Sequence, residues 1–283
     1  MGEPETIITP GMSAETAFLA VIAACAEAIG QHLSEVMASD DPAGPHKARV
    51  ALRRLRTALD TFAPLLGPAA VRALRHEARD IFHLLGAVRD ADVYLATRGK
   101  TKGTKGARAL AREAAQRRAD TRAELDRRGA RHFPERLRAW SAQADLFRSD
   151  EAGVAARRAP VAELAGEALE RAFADLRARG KRLSRMDDKA RHGFRKALKT
   201  LRYQGEFFAP LWPGPEADQA RAAVAALQDD LGLLNDMANA RRREGRHSPP
   251  VAAERQALKA ADAAWKSLRK APGWWLAAPV GPA

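Results

Sequence analysis

Cysteine, aromatic residues and long apolar runs are all scarce in this sequence. Cys25 is the only cysteine among 283 residues, which excludes an intrachain disulfide and a cysteine-based zinc site, and we expect it to be a small buried side chain. Aromatic residues make up 6% of the chain and do not alternate with the basic clusters, as they would in a protein that stacks single-stranded bases. Charged residues interrupt the apolar stretches before the roughly 18 residues of a membrane span, so we expect no such span.

The first ten residues, MGEPETIITP, also lack the features of a secretory signal. They carry acids where such a signal has cations, and they contain no uninterrupted apolar core. We therefore expect a soluble, cytoplasmic protein.

Acidic residues are outnumbered by basic ones. The chain has 48 Lys and Arg residues against 35 Asp and Glu residues, which gives a net charge of +13. This balance favours a polyanionic partner. On charge alone, that partner is nucleic acid, an anionic membrane or polyphosphate.

β-Branched residues are sparse too, while Ala, Leu, Arg and Glu dominate and apolar residues recur three and four positions apart. This pattern predicts an all-α fold without a β-sheet. Clusters of Pro and Gly divide the pattern into eight helices, with Phe133-Pro134 as a potential break in the fourth. The helices are predicted at 13–39, 46–66, 68–98 and 106–146 in the first half, and at 158–184, 187–212, 214–243 and 250–271 in the second.

The most informative feature present is an internal repeat at a spacing of 192 − 46 = 146 residues. Three motifs return at this spacing without a gap. They are His46-x-x-Arg49-x-x-x-Arg53-Arg54-Leu55-Arg56 with His192-x-x-Arg195-x-x-x-Lys199-Thr200-Leu201-Arg202, Phe62-Ala63-Pro64-Leu65 with Phe208-Ala209-Pro210-Leu211, and Leu85-Gly86-x-x-x-Asp90 with Leu231-Gly232-x-x-x-Asp236.

We interpret the repeat as an internal duplication that builds two four-helix bundles related by a pseudo-twofold axis. The predicted boundaries are an N-terminal tail over 1–12, a helical domain over 13–271 and a C-terminal tail over 272–283. Within the domain, the halves span 13–146 and 158–271, with a linker near 147–160. Trp274 and Trp275 are expected to cap the last helix against the core.

Each copy of the repeat places a row of cations on one flank of a helix. Spacings of three, four and three residues keep the side chains within an arc of roughly 80°. A separate apolar stripe runs beside each row. We name His46, Arg49, Arg53 and Arg56 the first basic row, and His192, Arg195, Lys199 and Arg202 the second basic row.

Like charges one helical turn apart repel each other, and no acid offsets them between residues 46 and 56. The pattern therefore favours an external anion, which arginine can hold with two parallel hydrogen bonds. The alternative is a solvated face, or cations paired with distant acids such as Asp90 and Asp236. These aspartates follow Gly86 and Gly232 by four residues, and we expect them to orient arginines of the rows where the glycines allow close helix packing.

Two pairs of segments resemble the CHAD family, the conserved histidine α-helical domain. They are HKARVALRRLRTALDTFAPLL with HGFRKALKTLRYQGEFFAPLW, and LLGAVRDADV with LQDDLGLLNDM. The resemblance covers residues 13–271. It implies two pseudo-symmetric four-helix bundles and a basic cavity, here at the junction of the halves, that binds inorganic polyphosphate. It also implies association with polyphosphate granules, as in some members.

Carried over by position, the resemblance assigns polyphosphate contacts to both basic rows and to three flanking cations, Lys47, Arg54 and Lys196. Thr200 departs from the family pattern, in which a basic residue is more usual, so the second half is expected to grip more weakly. Members are often fused to a CYTH-type triphosphatase domain with the signature Glu-x-Glu-x-Lys. Here Ile7 replaces the lysine of that signature, and we expect a stand-alone binding module.

The histidines that head the rows leave three roles open. Phosphate contact, a structural hydrogen bond at a helix junction, and metal ligation or phosphoryl transfer are all compatible with His46 and His192. Arginines surround them in place of the ligands that a metal needs, which disfavours the third role. His76, Asp80 and His83 also share a helix face, and we interpret them as a surface ion pair, with a metal site as the alternative.

The sequence thus predicts a non-catalytic protein that needs no cofactor and no metal. It contains no P-loop, no GxSxG, no HExxH and no calcium-loop motif. The expected partner is inorganic polyphosphate or another polyanion, and not a membrane. The basic, glycine-rich loop at 98–105 is expected either to cover the polyanion or to be a solvated connector. The alternatives are a nucleic-acid-binding protein, an enzyme that acts on phosphoanhydrides, and a granule-coat protein.

Overall fold

The computed structural model describes residues 8–98, 104–143, 145–243 and 252–279, and this part of the chain is helical without a β-strand. The prediction of an all-α fold is confirmed. The dominant residues Ala, Leu and Arg are strong helix formers. The helices are α1 (Ala14–Ala38), α2 (Ala43–Thr61), α3 (Ala70–Arg98), α4 (Thr104–Arg127), α5 (Phe133–Ser141), α6 (Glu151–Arg158), α7 (Val161–Arg179), α8 (Asp188–Phe207), α9 (Pro215–Arg243) and α10 (Ala252–Leu268).

The described residues of the first half, 13–146, form five helices where the sequence analysis predicts four. The fourth predicted helix, 106–146, is divided because Gly129 adopts a left-handed conformation with φ of 61°, and Pro134 then lies in the first turn of α5. The predicted linker at 147–160 contains α6. The carboxylate of Asp150 starts that helix by accepting a hydrogen bond from the backbone N–H of Gly153 at 3.1 Å.

Several elements recur at the spacing of the sequence repeat. The short 3₁₀ helices Ala63–Leu65 and Ala209–Leu211 are separated by 209 − 63 = 146 residues. Helices α8 and α9 begin within one residue of the positions that this spacing gives for α2 and α3. The duplication itself, and a pseudo-twofold relation between the halves, stay predictions.

The described residues group into two compact units. The first unit contains Glu15–Arg158, and the second contains Ile8–Ala14 together with the residues from Ala159 onward. Two backbone hydrogen bonds attach the N-terminal segment to the second unit, from Ala14 N–H to Ala159 O and from Val161 N–H to Met12 O, both at 2.9 Å. Within the predicted tail over 1–12, residues 8–12 thus pack on the second unit, and Ile8 is buried.

Aromatic side chains form the centre of the first unit. Phe18 of α1 packs against Phe62, with ring centroids 5.4 Å apart, and against the edge of Trp140 at 6.2 Å. Phe133, the first residue of α5, is also fully buried. Cys25 is buried as well, as the sequence predicts.

The second unit has its own aromatic centre around Trp265 of α10. This fully buried ring meets Phe194 of α8 at 4.9 Å, and its Nε1 donates to Gly180 O at 3.0 Å. Trp275, beyond the last helix, is 5% exposed and donates to the carboxylate of Glu170 at 3.1 Å. The predicted C-terminal tail therefore includes a residue that packs on α7.

Helix α1 requires a correction to the prediction about membrane spans. Within the described residues, it is long and apolar enough to cross a bilayer, because its best window holds only two or fewer charged side chains. Core helices of soluble proteins satisfy the same criterion, and 56% of that window is buried inside the protein. The helix is weak evidence for a membrane segment.

Candidate anion-binding site

Helix α2 buries one flank and leaves the other to the first basic row. Leu52, Leu55 and Leu59 are at most 3% exposed. No acid occurs between Ala43 and Leu59. The cations of this helix are exposed at His46, Lys47 and Arg56 and half-buried at Arg49, Arg53 and Arg54.

Arg49 is the anchored member of the first basic row. Its Nη1 donates a hydrogen bond to the carbonyl oxygen of Phe82 at 2.7 Å, and its Cζ lies 3.9 Å from the centre of the Phe82 ring. Burial and the charge of Arg53 lower the pKa of Arg49, while the charge of Asp90 acts in the opposite direction. The guanidinium is therefore partly desolvated against α3.

Gly86 of α3 makes room for this guanidinium. A Cβ atom at Gly86 would lie 2.3 Å from Nη1 of Arg49, which is shorter than any normal contact. In the second unit, a Cβ at Gly232 would lie 3.5 Å from Nη2 of Arg195, an ordinary van der Waals distance. At each of these glycines, an arginine of a basic row lies against the helix. The arginine lies closer to the glycine in the first unit than in the second.

Asp60 lies one helical turn beyond Arg56, the last residue of the first basic row. Asp60 accepts from Arg75 of α3 at 2.7 Å and lies 4.0 Å from Nε of Arg56. The Arg56 side chain is 72% exposed, so this longer contact contributes little. Among the described residues, no carboxylate lies within 4 Å of the Arg53 guanidinium, whose Cζ is 5.5 Å from the Phe82 ring centre.

Helix α8 presents the second basic row in the same way. The carboxylate of Asp187 caps the helix by accepting from Ala190 N–H at 2.7 Å. Phe194, Leu198 and Leu201 are fully buried on one flank. No acid occurs from residue 189 to residue 205. The cations in this stretch are exposed at Lys189, His192 and Lys196 and half-buried at Arg191, Arg195, Lys199 and Arg202.

His192 is joined to α9 through a hydrogen bond with Asn235. Burial, followed by the charge of Lys196, lowers the pKa of His192, and the bond to Asn235 only partly opposes this. The surroundings of His192 therefore favour the neutral imidazole. It has the structural contact that the sequence analysis considers, and its exposed edge is still accessible to an anion.

Arg202 of the second basic row is paired with two acids. Its Nε donates to Glu206 at 2.8 Å, and its Nη1 lies 3.9 Å from Asp229. Burial works to lower the pKa of Arg202, but the hydrogen bond and charge of Glu206 outweigh it and raise that pKa. Part of the Arg202 guanidinium is consequently engaged by acids of the protein.

The aspartates that the sequence analysis places behind the rows are exposed. Asp90 acts on Arg49 through its charge, and no cation of the described residues lies within 4 Å of Asp90 or Asp236. Asp60 and Glu206, in contrast, each lie within 4.0 Å of the last arginine of a row. Both follow the last arginine of a row by four residues, a spacing that can be seen in the sequence.

Two flanking positions have partners of their own. Nζ of Lys47 lies 3.7 Å from Glu35 of α1, an exposed pair of small energetic weight. The hydroxyl of Thr200 donates to the backbone oxygen of Lys196 at 3.5 Å. Thr200 therefore replaces a basic residue with a group that turns back to its own helix.

Of the two α3 histidines considered in the sequence analysis, His76 lies in a surface ion cluster, whereas His83 lines the cleft between α2 and α3. His76 Nδ1 is 3.7 Å from Asp80, whose carboxylate accepts from Arg128 at 3.0 Å. No group of three His, Cys, Asp or Glu residues in the described part of the chain is arranged to hold a metal. The predicted cover loop at 98–105 lies mostly outside the described residues.

The family of the chain follows from a comparison with known proteins. The model of the CHAD domain matches residues 20–244, most of the chain.

The chain belongs to the CHAD domain family.

The solved structures agree with this assignment. The crystal structure of the CHAD domain from the plant Ricinus communis is 26% identical, with a TM-score of 0.70 over 95% of this chain and 91% of that one. PptA from Streptomyces chartreusis shares the fold at 18% identity, with a TM-score of 0.53 over 92% of this chain and 96% of that one. A search of curated proteins found no match.

In this CHAD protein, the sequence located the basic helices but not their neighbours. Phe82 and Asn235 come from the helices that follow the rows, α3 and α9, and no motif singles them out. Their position depends on how each pair of helices packs. The pairing of Arg56 with Asp60 and of Arg202 with Glu206 could have been found from the four-residue spacing.

Proposed function

We propose that this CHAD protein binds inorganic polyphosphate through the first and second basic rows and catalyses no reaction. The observation that carries the proposal is the unmixed cationic flank of both α2 and α8. Seventeen consecutive residues of each helix, 43–59 and 189–205, contain no acid. A solvated helix face normally mixes both signs, because like charges at this spacing repel.

The flanks suit a linear chain of phosphates. Successive cations one turn apart lie about 5.4 Å from each other along the helix, so neighbouring side chains can reach successive phosphates. The forked guanidinium groups of Arg53 and Arg56 can each hold a phosphate with two hydrogen bonds. Binding releases counterions from the polyanion, so affinity should fall steeply as salt rises.

The test is the equilibrium binding of long-chain polyphosphate at two salt concentrations. We expect the combined variant Arg53→Ala and Lys199→Ala to weaken binding by tenfold or more, since a charged hydrogen bond contributes roughly 1.5 kcal/mol or more. It should also reduce the slope of log affinity against log salt by about 0.7 for each lost contact. The two substituted residues occupy the same position in the repeat.

A matched control variant combines Arg112→Ala on α4 with Lys259→Ala on α10. Both side chains are exposed, and the variant loses the same two charges from helices that do not carry a basic row. We expect it to bind within about twofold of the native protein, because distant exposed charges are screened. Equal losses in both variants would contradict the assignment to the basic rows.

Nucleic acid satisfies the same cations, so competition separates the two ligand classes. Short duplex DNA or RNA should not displace long-chain polyphosphate at an equal concentration of phosphate groups. Aromatic residues do not alternate with the cations of either row in the sequence, as they would in a protein that stacks single-stranded bases, which supports this expectation.

The absence of catalysis is tested directly. Pure protein incubated with polyphosphate and magnesium or manganese should release no phosphate, and sustained release that His46→Ala abolishes would refute the binding-only proposal.

We also propose that the protein is cytoplasmic and that polyphosphate binding recruits it to granules. Charge reversal at Arg49, Arg53, Arg195 and Lys199 should then abolish granule association, whereas a granule-coat protein acting through apolar faces would keep it.

A further inference from the structure

A cleft of about 280 Å³ opens between α2 and α3 within the first unit. Its floor is apolar and is formed by Leu52, Leu55 and Leu59 from α2 and by Ala78 and Phe82 from α3. Such a volume is close to the lower end of small-molecule sites, which are typically roughly 300 Å³ or larger. Inorganic polyphosphate has no apolar part, so binding of that polyanion leaves this floor unexplained.

Arginines surround the apolar floor. Arg53 and Arg56 of the first basic row line the cleft on one side, and Arg75 and Arg79 of α3 line it on the other. Arg75 and Arg56 share Asp60, while no carboxylate of the described residues lies within 4 Å of Arg53 or Arg79. The rim therefore carries excess positive charge above an apolar pocket.

The sequence repeat does not reproduce this chemistry. The positions in the second unit that correspond to Arg79, Phe82 and His83 are Ala225, Gln228 and Asp229. These changes remove one cation, replace the ring by an amide and introduce an acid. The second unit therefore lacks the aromatic wall and the cationic rim at these positions, while the basic rows occur in both units.

We propose that the cleft binds a nucleoside polyphosphate, with the base on the apolar floor and the phosphates on the rim arginines. An aromatic wall and planar guanidinium groups both stack on nucleobases, and Phe82 with Arg53 supplies both at one side of the cleft. Arg79 then contacts phosphate from α3, opposite the basic row. This ligand class is distinct from inorganic polyphosphate, although Arg53 and Arg56 take part in both sites.

The experiment compares ATP with tripolyphosphate at equal ionic strength without divalent metal, by titration of the full chain. Both probes carry three phosphates, and only ATP has a base. We expect ATP to bind about tenfold more tightly or better, the gain typical of one stacked base.

Two variants locate the site of this preference. Ala78→Leu fills the cleft and should bring ATP affinity down to that of tripolyphosphate, while tripolyphosphate binding changes by less than about twofold. Arg79→Gln changes an exposed side chain, so it should fold normally, and it should weaken ATP binding about fivefold or more. Ala73→Leu, at an exposed position on the same helix, is the matched control and should leave the preference intact.

Equal affinity for ATP and tripolyphosphate overturns the proposal, as does a preference for ATP that survives both Ala78→Leu and Arg79→Gln. A separate titration with long-chain polyphosphate tests the proposed function independently of the nucleotide site. Binding of long-chain polyphosphate without a preference for ATP refutes only the nucleotide site. A preference for ATP without binding of long-chain polyphosphate refutes only the proposed function.

Discussion

Substitution of the two repeat glycines by alanine should change the free energy of unfolding in opposite directions. Gly86 and Gly232 occupy equivalent positions in α3 and α9, but only the first is pressed against an arginine. A Cβ at Gly86 would lie 2.3 Å from Arg49 Nη1, whereas a Cβ at Gly232 would lie 3.5 Å from Arg195 Nη2. Gly86→Ala must therefore displace a guanidinium, and Gly232→Ala need not.

The magnitudes follow from what each substitution gains and loses. Alanine in place of glycine stabilises a helix interior by about 1 kcal/mol. Displacing Arg49 breaks its 2.7 Å hydrogen bond to Phe82 O. A charged hydrogen bond contributes roughly 1.5 to 3 kcal/mol, so Gly86→Ala should be destabilising by about 0.5 to 2 kcal/mol. Gly232→Ala should be stabilising by up to about 1 kcal/mol.

Urea denaturation followed by circular dichroism measures both changes. A double-mutant cycle identifies the cause, because Gly86→Ala in an Arg49→Ala background has no guanidinium to displace. There the alanine should be stabilising, like Gly232→Ala. Destabilisation by Gly86→Ala of the same size with and without Arg49 would refute the reasoning, since the loss would then come from another contact.

Three further perturbations have expected outcomes. Asp92→Ala removes the closer of two carboxylates beside Arg118 (2.6 Å, against 3.8 Å for the exposed Asp40), and it should cost about 3 kcal/mol of unfolding free energy because the Arg118 side chain is only 11% exposed; a loss under about 1 kcal/mol in urea denaturation would show that Asp40 or water replaces Asp92. Trp275→Ala should cost about 3 kcal/mol, since the ring is 5% exposed and bonded to Glu170, and an unchanged thermal midpoint would disprove its packing role. Burial keeps the pKa of His192 low and a bound phosphate raises it, so polyphosphate affinity should rise as pH falls from about 7.5 to about 6, around the usual histidine pKa. His192→Gln should flatten that dependence, and titrations with identical pH slopes would argue against phosphate contact at His192.

The helices were predictable where they depend on local pattern. The basic helix that carries the first row and its counterpart were expected at 46–66 and 187–212, and the structure has them at Ala43–Thr61 and Asp188–Phe207. The division of the fourth helix was less predictable. Gly129 takes a left-handed conformation that the sequence permits without requiring.

The candidate site was predictable to the level of the helix flank. Periodicity places cations together on one flank, but it does not give the distance from Arg49 to Gly86 or the bond from His192 to Asn235. Those contacts join residues of different helices, whose relative rotation depends on side-chain packing. The exposed aspartates, Asp90 and Asp236, were expected to orient the arginines, while Asp60 and Glu206 make the actual pairs.

The sequence by itself determined that this protein is helical, that it carries an excess of cations, and that these cations lie in two rows 146 residues apart. These properties depend on composition and on spacing along one helix, which are local. The tertiary structure alone decided that Arg49 is anchored, that Arg75 reaches Asp60 and that an apolar cleft lies beside Arg53. Each of these depends on which side chains a neighbouring helix brings within a few ångströms, and a one-dimensional pattern contains no such distance.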